Sequence, residues 1–183
     1  FIGDDISGKT VAIIGTGRIG EKVARKIYAS FGAKIIYYDI VKNERIEKEC
    51  NAIFMNSVDE ALMVADVVSI HVPLLPSTHH LINKERLNKM KSSAYLINTS
   101  RGAVLDENAL VEALQKGKIR GAGLDVYEFE PKLAKGLTKL TNTILSPHIA
   151  SAQIEARVEM SRIVAENVID FLEGKEPRNK INK

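Results

Sequence analysis

The stretch VAIIGTGRIGEKVARKI, residues 11–27, decides the fold, because three glycines in it join an apolar strand pattern to a helical pattern. Gly15, Gly17 and Gly20 form a G-x-G-x-x-G sequence, which is typical of a dinucleotide-binding loop when a strand precedes it and a helix follows. In such a loop the first glycine permits the tight turn, the second lets the backbone approach a pyrophosphate, and the third lets the helix pack against the strand. The free N–H groups and the dipole at the start of the helix favour the bound phosphates. On this pattern alone, a simple strand-to-helix turn stays open as the alternative.

The next apolar run, KIIYYD at residues 34–39, ends in an acidic residue that strengthens the dinucleotide interpretation. A carboxylate at Asp39, about 20 residues beyond the first glycine, can accept hydrogen bonds from the ribose hydroxyls of an adenosine. It would repel a 2′-phosphate, and the residues directly after it offer Lys42 but no arginine. The pattern therefore favours NAD over NADP, with a structural turn residue at Asp39 as the alternative.

Strand-like apolar runs alternate with helical patterns along the chain. This alternation predicts an α/β fold of the doubly wound Rossmann type, with a mostly parallel sheet and helices on both faces. The predicted strands cover residues 10–15, 34–39, 65–72, 94–99, 121–126 and 142–146, with a weak one at 52–54. The predicted helices cover residues 18–31, 57–64, 83–90, 106–116 and 151–175. We expect one domain over residues 1–175 and a polar tail over 176–183.

Composition and charge restrict the class of protein. The chain has 183 residues, of which 45% are hydrophobic, as is typical of a globular domain. Its 26 basic and 23 acidic residues nearly balance, so we expect no nucleic-acid partner. The sequence shows no signal peptide and no apolar run near the roughly 20 residues of a membrane helix, so we expect no membrane partner. A single cysteine, Cys50, is typical of the reducing cytoplasm, and we predict a cytoplasmic protein.

Three polar residues that follow predicted strands suit acid–base chemistry on an oxo acid. Arg101 lies in NTSRGAVLDENAL, Glu130 in GAGLDVYEFEP and His148 in LSPHIAS. A guanidinium can hold a carboxylate through two hydrogen bonds, and an imidazole can exchange a proton with an alkoxide near neutral pH. A glutamate beside the imidazole would favour its charged form and fix its tautomer. The three are candidate catalytic residues for hydride transfer to a 2-oxo acid, and the alternative for each alone is a structural role.

Three further histidines raise the question of a metal site. His71, His79 and His80 lie near the end of the predicted strand at residues 65–72. The adjacent pair suggests ligands, but no cysteine or acidic residue stands at the spacing of a ligand set. We therefore expect no metal.

Five motifs along the chain carry a family resemblance. They are GTGRIG, HVPLLPSTHHLIN at residues 71–83, NTSRGAVLDENALVEAL, GAGLDVYEFEP and SPHIAS, in that order. On these motifs the chain resembles the D-isomer-specific 2-hydroxyacid dehydrogenases over essentially its whole length. The resemblance implies NAD as the cofactor, a small 2-oxo or 2-hydroxy acid as the substrate, and a homodimer. It also implies that Arg101 binds the substrate, that His148 is the acid–base residue and that Glu130 is its partner.

The resemblance further implies which residues contact the cofactor. Arg18 and Ile19 would lie at the pyrophosphate and Asp39 at the ribose, whereas the members from Thr99 onwards would approach the nicotinamide. The predicted set is Gly15, Gly17, Arg18, Ile19, Gly20, Asp39, Val72, Pro73, Thr78, Thr99, Ser100, Arg101, Asp125, His148, Ala150 and Ser151.

The same resemblance leaves several functional interpretations open. Family members have a second, substrate-binding domain, and this sequence begins a few residues before the first cofactor-binding strand, so we expect the cofactor domain alone, nearly inactive by itself. The motif PLLPST is similar to D-3-phosphoglycerate dehydrogenases, which is the main prediction. A glyoxylate or hydroxypyruvate reductase, or another D-2-hydroxyacid dehydrogenase, is the alternative. A non-catalytic NAD-binding regulatory module, like the corepressors of this family, is an alternative of another class.

Overall fold

Seven parallel strands form one sheet in the computed structural model, which describes residues 3–181. They are β1 (Thr10–Ile14), β2 (Lys34–Tyr38), β3 (Ile53–Phe54), β4 (Val67–Ile70), β5 (Tyr95–Asn98), β6 (Gly121–Leu124) and β7 (Thr143–Leu145). Their order across the sheet is β3-β2-β1-β4-β5-β6-β7, so the chain builds outward from β1 to one edge and from β4 to the other. The winding reverses between β1 and β4, and open α/β sheets bind ligands at such a point, beyond the carboxyl ends of the strands.

Helices cover both faces of this sheet. They are α1 (Arg18–Phe31), α2 (Glu44–Cys50), α3 (Val58–Val64), α4 (Lys84–Lys89) and α5 (Glu107–Gln115), and a sixth helix, α6 (Ile154–Leu172), comes later in the chain. Val11 and Ile13 of β1 share a core with residues of α1 and α2, whereas Ala12 and Ile14 share another core with residues of α3, α4 and α5. Successive side chains of a strand point to opposite faces, so the two cores lie on opposite sides of the sheet. The predicted doubly wound α/β fold is confirmed.

The elements differ from the sequence prediction in a few places. Helix α2 is missing from that prediction because its sequence is mostly polar and only Ile46 and Cys50 are buried. A capping signal was nevertheless present, since the side chain of Asn43 accepts a hydrogen bond from the Ile46 N–H at 3.2 Å. The weak strand predicted at 52–54 is β3, whose second residue, Phe54, packs edge-on against Tyr37. The strand predicted at 65–72 is shorter, because β4 ends at Ile70.

The chain divides into two compact units, the first ending at His148 and the second beginning at Ile149. The second unit contains α6, and the side chains of Asn167 and Asn179 join this helix to the polar segment that follows it. The prediction of one domain over 1–175 and a tail over 176–183 stays a prediction. Within residues 3–181, no helix combines the length and the apolar character that crossing a membrane requires.

Candidate active site

The glycine loop after β1 has the geometry that a dinucleotide requires. Gly15 has a φ of +93°, and a Cβ atom there would lie 2.9 Å from the backbone carbon of His71. A Cβ on Gly20 would overlap the carbonyl oxygen of Gly15, so α1 approaches the loop as closely as only glycine permits. The space around Gly17 is open, with no atom within 4 Å of its Cβ position. The loop thus provides a turn, an accessible stretch of backbone and a helix N-terminus, which together fit a bound pyrophosphate.

Asp39, at the carboxyl end of β2, holds the glycine loop and faces an adjoining cleft. Its Oδ2 atom accepts hydrogen bonds from the Thr16 N–H at 2.6 Å and from the Thr16 hydroxyl at 3.0 Å. Asp39 and Gly17 line a cleft of about 440 Å³, together with Lys42. The Lys42 ammonium lies 5.1 Å from the centre of the Phe54 ring, so this cation already has a cation–π partner within the protein. The arrangement fits an adenosine ribose beside Asp39.

Three neighbouring strands bring the candidate catalytic residues together. Arg101 follows β5, Glu130 lies in the loop after β6, and His148 follows β7. Parallel neighbours end at the same edge of a sheet, and the three residues line one open cleft of about 850 Å³. Their placement matches the sequence prediction, whereas their roles stay predictions.

Glu130 and His148 form a direct pair within this cleft. The Nδ1 atom of His148 lies 2.9 Å from Oε2 and 3.1 Å from Oε1 of Glu130. The backbone N–H of Tyr127 also donates to Oε1 of Glu130, at 3.0 Å. The hydrogen bond from His148, followed by the one from Tyr127, lowers the pKa of the Glu130 carboxyl below its usual value. Nδ1–H therefore points at a carboxylate, so the predicted proton exchange with a substrate would use the other nitrogen, Nε2.

The loop that carries Arg101 is fixed by a fully buried asparagine at the end of β5. The Asn98 side-chain oxygen accepts hydrogen bonds from the Ser100 N–H at 3.0 Å and the Ser100 hydroxyl at 2.9 Å, while its amide donates to the Arg101 carbonyl at 3.0 Å. The Arg101 side chain is exposed and donates from one nitrogen to the Ser100 carbonyl at 2.7 Å. The guanidinium is thus displayed at the mouth of the cleft, where it can bind an anion.

The other predicted cofactor residues of the first unit also gather at the carboxyl edge of the sheet. Those beyond the glycine loop and Asp39 follow β4, β5 or β6 in the chain, namely Val72, Pro73, Thr78, Thr99, Ser100 and Asp125. The Thr78 hydroxyl donates to the Pro73 carbonyl at 2.6 Å and accepts from the Leu75 N–H at 2.8 Å, which closes the loop after β4. Asp125 is only 4% exposed and accepts a hydrogen bond from the Ser146 hydroxyl at 2.6 Å. The roles of these residues stay predictions.

Two further pairs of residues belong to the predicted cofactor set. Arg18 and Ile19 begin α1 with exposed side chains, so both can reach a ligand at the glycine loop. Ala150 and Ser151 belong to the unit that begins at Ile149, and their contact with the cofactor stays a prediction.

The structure brings an acidic residue beside the histidine pair, although none stands at ligand spacing in the sequence. Glu128, far along the chain, has a carboxylate oxygen 2.7 Å from Nε2 of His80, and ligand atoms of His79, His80 and Glu128 all lie within 4.8 Å of one another. Sequence spacing missed this residue because it arrives from the loop after β6. The two imidazole rings stack, with their centroids 4.1 Å apart and their planes at 27°. We assign His80 and Glu128 a structural hydrogen bond.

His71 is the third of these histidines and is also structural. Its Nε2 atom lies 2.8 Å from the Ser69 hydroxyl, and burial lowers the pKa of its imidazole to about 4. The ring is therefore neutral at physiological pH. The expectation of no metal stays an expectation.

Several known proteins are similar to this chain in sequence and in fold. The glyoxylate reductase of Thermofilum pendens is 49% identical over 182 residues, covering 99% of this chain and 53% of the relative. Among solved structures, the glyoxylate reductase of Paecilomyes thermophila matches with a TM-score of 0.87 at 41% identity, over 96% of this chain and 53% of that one. The NAD-complexed D-isomer specific 2-hydroxyacid dehydrogenase of Lactobacillus delbrueckii ssp. bulgaricus has a TM-score of 0.87 at 36% identity, over 99% and 58% of the two chains.

The chain spans about half the length of the curated relatives that it matches. The family model described as "D-isomer specific 2-hydroxyacid dehydrogenase, NAD binding domain" matches residues 1–150, which include the glycine loop, Asp39 and all three candidate catalytic residues. This match confirms both the resemblance and the choice of NAD as the cofactor. The chain therefore belongs to the NAD-binding domain family of the D-isomer specific 2-hydroxyacid dehydrogenases.

Proposed function

We propose that this chain is the cofactor-binding half of an NAD-dependent enzyme that interconverts glyoxylate, or a similarly small 2-oxo acid, with its 2-hydroxy acid. The observation that carries the proposal is the 2.9 Å contact between His148 and Glu130 in a cleft that also displays Arg101. A cation, a carboxylate–imidazole pair and a dinucleotide loop at one sheet edge are the groups that such a reaction needs.

Each residue has a distinct task in this proposal. The Arg101 guanidinium binds the carboxylate of the substrate and orients the adjacent carbonyl group. NAD, when bound, accepts or supplies the hydride. In the direction of reduction, Nε2 of His148 gives a proton to the carbonyl oxygen, and in the other direction it takes that proton back. Glu130 holds the ring by Nδ1 and so fixes its orientation and tautomer.

The names of the relatives favour glyoxylate over the phosphoglycerate reading that the PLLPST motif suggested. Six relatives with 45–49% identity are named glyoxylate reductase. One structural observation keeps the phosphorylated 2-oxo acid as a second candidate, because Lys132 lines the same cleft as Arg101. An ammonium there offers a second positive charge for a phosphate group.

The experiment compares two proteins, this chain alone and this chain joined to the remaining half of the Thermofilum pendens relative. NADH oxidation is followed with glyoxylate, hydroxypyruvate, pyruvate and the 2-oxo acid of 3-phosphoglycerate. We expect the joined protein to prefer glyoxylate and the chain alone to be at least tenfold slower, because one wall of the cleft and its exclusion of water are lacking. A preference for the phosphorylated acid that Lys132→Ala abolishes would establish the second candidate instead.

Two further outcomes bear on the alternatives. Saturable NADH binding by the joined protein, with no turnover of any of these acids, would favour the regulatory NAD-binding module. The homodimer also stays a prediction, and light scattering on the joined protein, with twice the mass of one chain expected, checks it.

A further inference from the structure

Glu107, the first residue of α5, is a buried carboxylate that the proposed reaction does not use. Only 1% of this residue is exposed. Its Oε1 atom accepts a hydrogen bond from the Glu128 N–H at 2.5 Å, and its Oε2 atom accepts one from the Ala134 N–H at 3.1 Å. A buried carboxylate requires such partners, and bonds from backbone amides to a charged acceptor are among the stronger ones in proteins. Both oxygens are thus committed to the loop after β6.

The two anchored amides stand on either side of Glu130. This glutamate is itself well exposed, with 37% of its side chain accessible, so side-chain packing does little to place it. Its position depends on the backbone of residues 127–134, which Glu107 holds at both ends. The Tyr127 N–H and the His148 ring then complete the bonds of its carboxylate, at 3.0 and 2.9 Å.

The same loop also lies against the backbone that carries Arg101. A Cβ atom on Gly102 would overlap the carbonyl group of Tyr127, so the two loops touch backbone to backbone. The loop's position therefore sets the distance between Arg101 and Glu130 as well. Glu107 acts on both sides of the cleft without touching its interior, because residues lining that cleft include Arg101, Glu130 and His148 but not Glu107.

We propose that Glu107 is a positioning residue, whose buried carboxylate fixes the 127–134 loop so that Glu130 meets His148 beside Arg101. Its importance for catalysis rests on the proposed function, but its effect on Glu130 does not. The two are separable, because the position of Glu130 can be measured without any turnover.

The substitution Glu107→Gln tests this at nearly constant volume. Glutamine retains one oxygen as an acceptor, but its amide group places N–H donors against the other backbone N–H, so one anchor of the loop is lost. Carboxyl carbon NMR on the 183-residue chain then reports the titration of Glu130. The hydrogen bond from His148 is the largest cause of the low pKa of Glu130, so a released loop raises that pKa, against the smaller lowering that follows from removing the charge of Glu107. We expect an upward shift of roughly 0.5 pH units or more.

Asp59→Asn is the matched control. Asp59 is a half-buried carboxylate of α3 that pairs with Arg86 and Lys89 of α4, away from the 127–134 loop. Its loss lowers the melting temperature and leaves the titration of Glu130 unchanged. If Glu107→Gln behaves in the same way, with a lower melting temperature and an unchanged Glu130, Glu107 is merely structural and the proposal is wrong.

Glu107→Asp is a second test variant for the case in which the glutamine variant does not fold. Aspartate keeps the charge but is one methylene shorter, so it cannot span both amides from the same backbone position. The proposal requires the same upward shift in Glu130, and an unshifted Glu130 in the folded aspartate variant overturns it. In the joined protein, Glu107→Gln should lower kcat while the KM for NADH stays within about twofold.

Discussion

Nδ1 of His148 lies 2.9 Å from Oε2 of Glu130, although the two residues are 18 positions apart and follow different strands. The contact exists because β6 and β7 are parallel neighbours, whose following loops emerge at the same edge of the sheet. It aims one imidazole nitrogen at a carboxylate and leaves the other nitrogen for the proposed proton exchange with a substrate. The same contact has a measurable consequence for stability.

The Glu130 carboxyl should contribute to stability in a pH-dependent way. Its folded pKa lies below the usual 4.5, so the folded state favours the charged form, and the contribution is complete above that value and lost as the pH falls. Melting temperatures of the chain and of Glu130→Gln should therefore differ most near neutral pH and converge in acid. A constant difference from neutral pH into acid would show that the pair does not form.

Burial of His71 should make the stability of the fold depend on pH a second time, at a higher pH than the Glu130 carboxyl does. The folded pKa is lowered from 6.5 to about 4, so the folded state favours the neutral ring, and the unfolded state takes up the proton first. The contribution of His71 to the free energy of unfolding is therefore fully present above pH 6.5. It falls progressively towards pH 4, by up to about 3 kcal/mol. Denaturant unfolding of the chain and of His71→Gln checks this, since the variant should lack that decline. Parallel curves over this range would contradict the burial of the ring.

Alanine substitutions at two glycines of the same loop should affect different properties of the protein. At Gly20 a methyl group would overlap the Gly15 carbonyl, so Gly20→Ala should lower the free energy of unfolding by about 2 kcal/mol or more. At Gly17 the methyl group meets open space, so Gly17→Ala should change stability by less than about 0.5 kcal/mol. It should nevertheless weaken NADH binding at least about tenfold, because the methyl group occupies the approach of the pyrophosphate. Undiminished NADH binding by Gly17→Ala would place the pyrophosphate elsewhere.

Asp39 has a structural role at Thr16 and a predicted role in recognising the cofactor, and two substitutions separate the two roles. Asp39→Asn keeps an oxygen for the Thr16 N–H but removes the charge, whereas Asp39→Ala removes both. Both variants should bind NADH more weakly, by about 1–3 kcal/mol, and both should narrow the preference over NADPH. Only the alanine variant should also melt at a clearly lower temperature. Calorimetric titration with the two cofactors checks the prediction, and an unchanged ratio of affinities would reduce Asp39 to a turn residue.

Local sequence signals were sufficient to predict much of the fold, and they also carry the prediction of the cofactor site. The glycine loop, the acidic end of β2 and the apolar runs of a buried parallel sheet are all properties of short segments. The three candidate catalytic residues could be placed at one edge of the sheet because the ends of parallel strands coincide there. The motifs then identified the family, which the family model confirms.

Long-range contacts could not be predicted in this way. Glu107 looks like an ordinary acidic residue in the first turn of a helix, and only the fold shows its bonds to Glu128 and Ala134. The pairing of His80 with Glu128 joins residues 48 positions apart, so spacing rules for ligand sets could not detect it. Helix α2 was missed for a different reason, since its stability comes from a cap and two buried side chains rather than from an amphipathic pattern.

The most direct test of the account is a calorimetric titration of NADH into this 183-residue chain, after circular dichroism has shown that it is folded. The glycine loop and Asp39 both lie in the first unit, so we predict saturable binding of one NADH per chain, weaker than in a two-domain relative because one wall of the cleft is lacking. Gly17→Ala should abolish most of this signal. Absence of saturable binding at millimolar NADH, in a folded chain, would contradict the account.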